Sequence, residues 1–187
     1  MIRERLIVGK HKAIIGKTPS IILTNPKYPH NVAGAIRASS CFGFKQVWYT
    51  GNRVSLEGEQ RLPREERMKG YAEVDLYQFD YPFDCFPENT VPVAIEIVEN
   101  SESLIDFEHP ENAVYVFGPE DGSINQVVRR HCHRFVTIPT RHCTNLSSAV
   151  YLIMYDRMSK RVRAGLEELP ELCEDRGWWQ YDEDKLL

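Results

Sequence analysis

Short apolar segments alternating with helix-like stretches predict an α/β fold, a mainly parallel sheet with helices on both faces. Three observations carry this expectation. Segments 20–24, 91–98 and 113–117 are nearly continuous runs of apolar residues, as expected of strands covered on both sides. Segments 30–41 and 145–163 have helical length and composition. Asn25-Pro26, Gly43 and the run Gly118-Pro119-Glu120-Asp121-Gly122 punctuate them with turn residues.

The elements follow in order. Segment 20–24 (SIILT) reads as a buried strand stopped by Asn25-Pro26. Segment 30–41 reads as a helix with Asn31 as a candidate N-cap and Gly43 as its stop. Segment 46–50 (QVWYT) is a second strand, and 51–70 a long polar loop with room for one helical turn. Strands are expected over 91–98, 113–117 and 134–138, a helix over 123–131, and a long helix over 145–163. That last helix is apolar nearly all round from Ala149 to Tyr155, which predicts burial on two sides, against the sheet and against a partner subunit.

A chain of 187 residues fits one main domain. We divide it into a basic N-terminal extension (1–19), the domain proper (20–165) and an acidic tail (166–187) that carries Trp178 and Trp179. Hydrophobic residues at 42% suffice for a core, while the longest apolar run, 150–155, is far too short to span a bilayer. Residues 1–17 alternate basic and apolar side chains without a cleavage-site pattern, so no secretory signal is expected and the cytoplasm is the expected compartment. Five cysteines (Cys41, Cys85, Cys132, Cys143, Cys173) without a CxxC pair argue against a disulfide framework. The net charge of −4 neither supports nor excludes RNA. Basic residues cluster at 3–17, 53–69 and 157–163 and acidic ones at 167–184, so a basic face beside an acidic tail remains open.

Parallel sheets place ligands beyond the carboxyl ends of their strands, and three segments put polar or glycine-rich residues there. In Asn31-Val-Ala-Gly34-Ala-Ile-Arg37, residues 31, 34 and 37 share one helix face. Gly34 would let a backbone or ligand approach, and an arginine fork suits phosphate. The plainer reading is an N-cap asparagine and a surface arginine. Phe117-Gly118-Pro119-Glu120-Asp121-Gly122-Ser123 follows a strand and opens a helix. It offers free backbone N–H groups without matching a phosphate loop or GxGxxG, and a tight turn explains it equally well. Ile138-Pro139-Thr140, followed by Thr144-Asn145-Leu146-Ser147-Ser148, leads into the long helix, which Asn145 and Ser147 would cap.

In this order the three segments resemble the motifs of the SpoU family, RNA methyltransferases of the SPOUT class: Asn-x-x-x-x-x-Arg, Gly-x-Glu after a strand, and Ile-Pro with an Asn-x-Ser helix start. The resemblance spans about 20–163 and implies much. The fold would carry a C-terminal trefoil knot, a feature nearly absent from proteins at large. S-adenosylmethionine would be the cofactor, held by the loop after Ile97, by Gly118 and Glu120, and by Ile138, Thr144 and Leu146. Methyl transfer would go to a ribose 2′-hydroxyl of RNA, with tRNA the first substrate class and ribosomal RNA the second. The site would lie at a homodimer interface, so that Arg37 of one subunit meets the cofactor of the other. No metal is implied, because the methyl donor is already activated. The enzyme has only to position the hydroxyl and help remove its proton. A guanidinium holds its own proton and makes a poor base, so Arg37 is read as holding the RNA phosphate and polarising the hydroxyl. Asn31, Glu120, Asn145 and Ser147 would shape the site.

Five residues separate Pro139 from Asn145, fewer than the family's usual pattern. That spacing supports a rival, a catalytically degenerate RNA-binding or dimerisation module. With no large added RNA-binding domain, the N-terminal residues 1–17 and the two other basic segments would have to hold the RNA. His131-Cys132-His133 with His142-Cys143 raises zinc, but no usual ligand spacing is present, and buried cysteine with helix-end histidine is the better reading. A Rossmann-type methyltransferase lacks its glycine loop after the first strand.

Overall fold

The computed structural model describes residues 15–54 and 73–169, together with the backbone of 6–8. The expected loop helix within 51–70, most of the basic segment 53–69, Cys173 and the tail beyond 169 lie outside the described residues.

Strands β1 (Leu6–Val8), β2 (Ser20–Leu23), β3 (Gln46–Tyr49), β4 (Asp75–Gln78), β5 (Val91–Ile95), β6 (Glu102–Ser103), β7 (Ala113–Phe117) and β8 (Arg134–Thr137) form one sheet. Their order is β1-β4-β3-β2-β7-β5-β8-β6, and all the pairings are parallel. Helices α1 (Pro29–Cys41), α2 (Gln126–Arg129) and α3 (Leu146–Arg163) and a 3-10 turn at Pro82–Cys85 complete the described elements. The register sets Leu23 against Tyr49 and Phe117, and Phe117 against Ile95. The carboxyl ends of the central strands therefore share one edge.

The predicted α/β class and parallel sheet are observed, with corrections in detail. Segment 91–98 leaves the sheet at Ile95. The helix expected over 123–131 shrinks to Gln126–Arg129, because Asn125 stays extended and its side chain accepts the Val128 amide. Asn31 is not an N-cap. Helix α1 begins earlier, with Pro29 in its first turn and Tyr28 at the cap, a position where a fixed φ is tolerated. Asn31 is thereby carried inside the helix and fully buried. Gly43, at φ +76°, does end α1, in a backbone conformation that side-chain-bearing residues rarely adopt.

Alternation along each strand builds two cores. Ile21, Leu23, Val47, Tyr49, Val93 and Tyr115 face α1 and α3, whose Ile36, Val150, Ile153 and Met154 are also buried. Ile22, Trp48, Tyr77, Ala94 and Val116 face the other way, against Ile124, Val128 and Cys132 around α2 and the partly buried Phe83 and Phe86 near the 3-10 turn. Trp48 lies 4.5 Å from Tyr77 and 5.3 Å from Phe86 between ring centroids. Both faces are covered, but only one by long helices.

Helix α3 buries one side within the chain. Leu152 and Tyr155 are 41% and 57% exposed, so the second covered side expected of this helix is not supplied by the described residues of its own chain. Its C-terminal half is tied down through polar groups. Arg157, only 2% exposed, donates to the Pro110 and Glu111 carbonyls and to the Tyr115 hydroxyl, and Lys160 donates to the carbonyls of Leu104 and Phe107. Arg161 pairs with Glu167. The basic cluster 157–163 expected to face RNA thus turns three of its cations to intramolecular partners: Arg157 and Lys160 satisfy carbonyls that would be costly to leave without donors, and Arg161 pairs with a carboxylate.

No described helix is long and apolar enough to cross a membrane.

Candidate functional site

Where the strands' carboxyl ends meet, the loops after β5, β7 and β8 enclose a cleft with about 760 Å³ of empty space, part of it open to solvent. Ile97, Gly118, Glu120, Ile138, Thr144 and Leu146 all line it, so the six residues singled out for cofactor binding converge on one place. Sequence reasoning missed Glu96, which also lines the cleft. Its carboxylate accepts the amides of Ile97 at 3.1 Å and Ile124 at 2.9 Å and so fastens the first loop to the exit of the second. The available signal was its place immediately after the strand.

Gly118 sits where the second loop folds back. A Cβ there would stand 3.2 Å from the Ile124 amide nitrogen and 3.4 Å from the Gly122 carbonyl oxygen, so the bare backbone keeps the turn tight and the cleft open. Ile97 is 71% exposed at the rim, an apolar side chain with no core to enter.

Glu120 reaches from this loop to the start of α1. It accepts the Lys27 amide at 2.7 Å, the Tyr28 amide at 3.2 Å and the Asn31 side-chain Nδ2 at 2.6 Å. Burial works against its charge, but these hydrogen bonds outweigh it and hold the carboxyl below its usual range. A carboxylate at that point also complements the positive end of the helix dipole, where Tyr28 supplies no side-chain cap. The buried Asn31 uses its other end as well: its Oδ1 accepts Asn145 Nδ2 at 3.0 Å. The Oδ1 of Asn145 in turn accepts the amides of Ser147 and Ser148 and the Ser147 hydroxyl. The expected capping by Asn145 is observed, and a chain Glu120–Asn31–Asn145–Ser147 joins the three segments.

Gly34 does create a close approach, with α3 rather than a ligand as the neighbour. A Cβ at Gly34 would lie 2.6 Å from Ser147 Cβ. Arg37, two turns beyond Asn31 and half-buried, is not among the residues lining the cleft. Arg53, from the basic segment after β3, forms a two-pronged pair with Asp121 at 2.9 and 2.7 Å, and Lys27 approaches the same carboxylate at 3.3 Å. The Arg53 fork, with Lys27, holds the Asp121 carboxyl well below the usual carboxylate range.

Among the described residues no group of three or more His, Cys, Asp or Glu is arranged to hold a metal. Cys132 is buried, and His131 stacks on Phe83 at 4.8 Å. Burial pushes the Cys132 thiol up to about 12.

Residues 19–155 match the model of the SpoU rRNA Methylase family. The chain is 29% identical over 160 residues to the tRNA (cytidine-2′-O-)-methyltransferase TrmJ of Methanocaldococcus jannaschii, covering 77% of this chain and 69% of that protein. Among solved structures, the A. aeolicus TrmH/SpoU tRNA modifying enzyme superposes with a TM-score of 0.67 at 18% identity, over 88% of this chain and 83% of that one. The SpoU methyltransferase AviRb from Streptomyces viridochromogenes, in complex with AdoMet, gives 0.63 at 14% identity, over 83% and 64%. At these identities the structures share the fold.

Proposed function

Because this chain belongs to the SpoU rRNA Methylase family, we propose that it transfers a methyl group from S-adenosylmethionine to a ribose 2′-hydroxyl of RNA, with tRNA the first substrate class and ribosomal RNA the second. The observation that carries this reading is the convergence of three separate loops on one cleft, locked to α1 through Glu120, Asn31 and Asn145. The relative from M. jannaschii, named as a tRNA 2′-O-methyltransferase, favours tRNA.

The cleft suits the cofactor on its own chemistry. Gly118 leaves backbone bare where a Cβ would crowd the turn, and Ile97 and Ile138 offer apolar contact beside backbone polar groups, the mixture that small-molecule sites use. Ile97, Gly118, Glu120, Ile138, Thr144 and Leu146 would hold it. Bound there, S-adenosylmethionine supplies a methyl group already activated by a positively charged sulfur. The chain's own residues then have positioning to do. Asn31 and Asn145 fix α1 relative to the third loop, Glu120 fixes it to the second, and Arg37 orients the ribose and its phosphate. As Arg37 does not line its own chain's cleft, it would act in the cleft of a second copy. Exposed Leu152 and Tyr155 on α3 support such a homodimer. The strand order supports a trefoil knot, since β8 inserts between β5 and β6, both earlier in the chain, before α3 returns to pack on α1.

The test is incubation with S-adenosylmethionine and, in parallel, unmodified tRNA and ribosomal RNA, read by nucleoside mass spectrometry. A 2′-O-methylated nucleoside should appear in the tRNA reaction. Its appearance only with ribosomal RNA would reverse the order of substrates, and its absence from both would remove the reading.

A further inference from the structure

Outside the cleft lining, an aromatic pair at the rim has no role in the core. The rings of Tyr28 and His30 stack with centroids 5.3 Å apart and planes at 16°, although Tyr28 is 42% exposed and His30 is exposed. Pro29, between them in the first turn of α1, restrains the backbone that carries both rings. Lys27 Nζ stands over the Tyr28 ring, 5.3 Å from its centroid, and pairs with Asp121 at 3.3 Å. The pair is also fixed relative to the cleft, because cleft-lining Glu120 accepts the amides of Lys27 and Tyr28, and Asn31 lies one residue beyond His30. Exposed rings on a restrained backbone are what sites for single-stranded nucleic acid present, because bases stack on them.

We propose that Tyr28 and His30 form a stacking platform for a nucleobase of the RNA substrate. This rests on the reading of the chain as an RNA methyltransferase. A paired base in a duplex has its faces covered, so the platform selects for nucleotides in loops or at ends. It also accounts for RNA capture by a chain with a net charge of −4, since stacking does not depend on net charge.

The experiment compares wild type with Tyr28→Phe, Tyr28→Leu and His30→Ala. It measures fluorescence anisotropy with end-labelled total tRNA, and calorimetry with S-adenosylhomocysteine. Tyr28→Leu keeps bulk but loses the flat face, and should weaken RNA binding between about five- and a hundredfold, the range for losing one stacked base. Tyr28→Phe should bind within about twofold of wild type, His30→Ala should be intermediate, and all three should bind the cofactor product as wild type does. If wild type binds RNA and Tyr28→Leu binds it equally well, the platform is overturned while the methyltransferase reading stands. If Tyr28→Leu loses the cofactor product too, Tyr28 belongs to the fold, and the platform is again overturned. Wild type that neither binds nor methylates any RNA overturns the enzymatic reading itself.

Discussion

Ser147 occupies the space that any side chain on Gly34 would need: its Cβ is 2.6 Å and its Oγ 2.9 Å from where a Cβ there would be. One residue opens α3 and the other lies in the middle of α1, so this contact sets how closely the two helices cross. Gly34→Ala should gain about 1 kcal/mol of helix propensity yet lose about 1–3 kcal/mol to overpacking, since Ser147 is itself held by Asn145. A lower melting temperature for Gly34→Ala is expected. An equal or higher one would mean that α3 shifts freely.

Asn145 has two jobs that substitutions separate. Asn145→Ala removes the cap of α3 and leaves the buried Asn31 oxygen without its donor, costing about 1–2 kcal/mol for the cap and about 1–3 kcal/mol for the unpaired group. Asn145→Asp keeps an acceptor for the Ser147 and Ser148 amides but cannot donate to Asn31, whose Nδ2 is committed to Glu120. Urea unfolding should therefore rank wild type above Asp and Asp above Ala. An aspartate variant as stable as wild type would show that the Asn31 link adds nothing.

The buried histidine network makes stability depend on pH. His109 Nδ1 lies 2.6 Å from the Tyr115 hydroxyl and Nε2 2.8 Å from Asp156. A carboxylate only accepts, so in the neutral ring Nε2 carries the proton and donates to Asp156, while Nδ1 accepts from the Tyr115 hydroxyl, whose oxygen accepts from Arg157. This arrangement needs a neutral ring. Burial, opposed by Asp156, lowers the His109 pKa from 6.5 to about 4. Between those values the unfolded chain binds a proton that the folded chain does not, so stability falls as pH drops through this window, by up to about 1.4 kcal/mol per unit. The urea midpoint of wild type should fall between pH 7 and 5 more steeply than that of His109→Gln. Equal slopes would assign the titration elsewhere.

Much of this was legible in the sequence because it is local. The apolar runs at β2, β5 and β7, the Asn145 cap and the Gly43 stop each declare themselves within a few residues. What escaped depends on the topology. β4, reading Asp75-Leu-Tyr-Gln78, is framed by charged and polar residues and becomes a strand because β1 and β3 pair with it on either side. β6 has two residues, too few for any periodicity. Asn31 looked like a cap because asparagine at the start of a helix-like segment favours that position, and its partners lie 89 and 114 residues away. Arg157 and Lys160 looked like part of an RNA-binding cluster because the carbonyls they satisfy come from the distant segment after β6.

Gly118 offers a direct probe of the cleft. Gly118→Val would bring a branched side chain against the Ile124 nitrogen and the Gly122 carbonyl, already within 3.2 and 3.4 Å of a single Cβ. Affinity for S-adenosylhomocysteine should fall at least about tenfold, or 1.4 kcal/mol, while Gly118→Ala should be milder. Calorimetry showing unchanged affinity in the valine variant would place the cofactor elsewhere.

Arg37 tests the division of labour between cleft and helix. It lies outside the cleft of its own chain, so losing it should leave S-adenosylhomocysteine affinity within about twofold, well under 1.4 kcal/mol. If it orients ribose and phosphate in the cleft of a second copy, Arg37→Ala should lower single-turnover methylation by about a hundredfold or more, several kcal/mol of transition-state positioning. Arg37→Lys should recover little, because an ammonium is a point charge and cannot reproduce a planar two-pronged contact. The dimer gives a second readout. Mixing Arg37→Ala with a Gly118→Val variant should form heterodimers in which one composite site keeps both native residues, so methylation should return to a fraction of wild type. Near-wild-type turnover in Arg37→Ala alone would remove Arg37 from the reaction. Failure of the mixture to recover activity, with exchange of subunits verified by mass, would place Arg37 and the cofactor in the same chain.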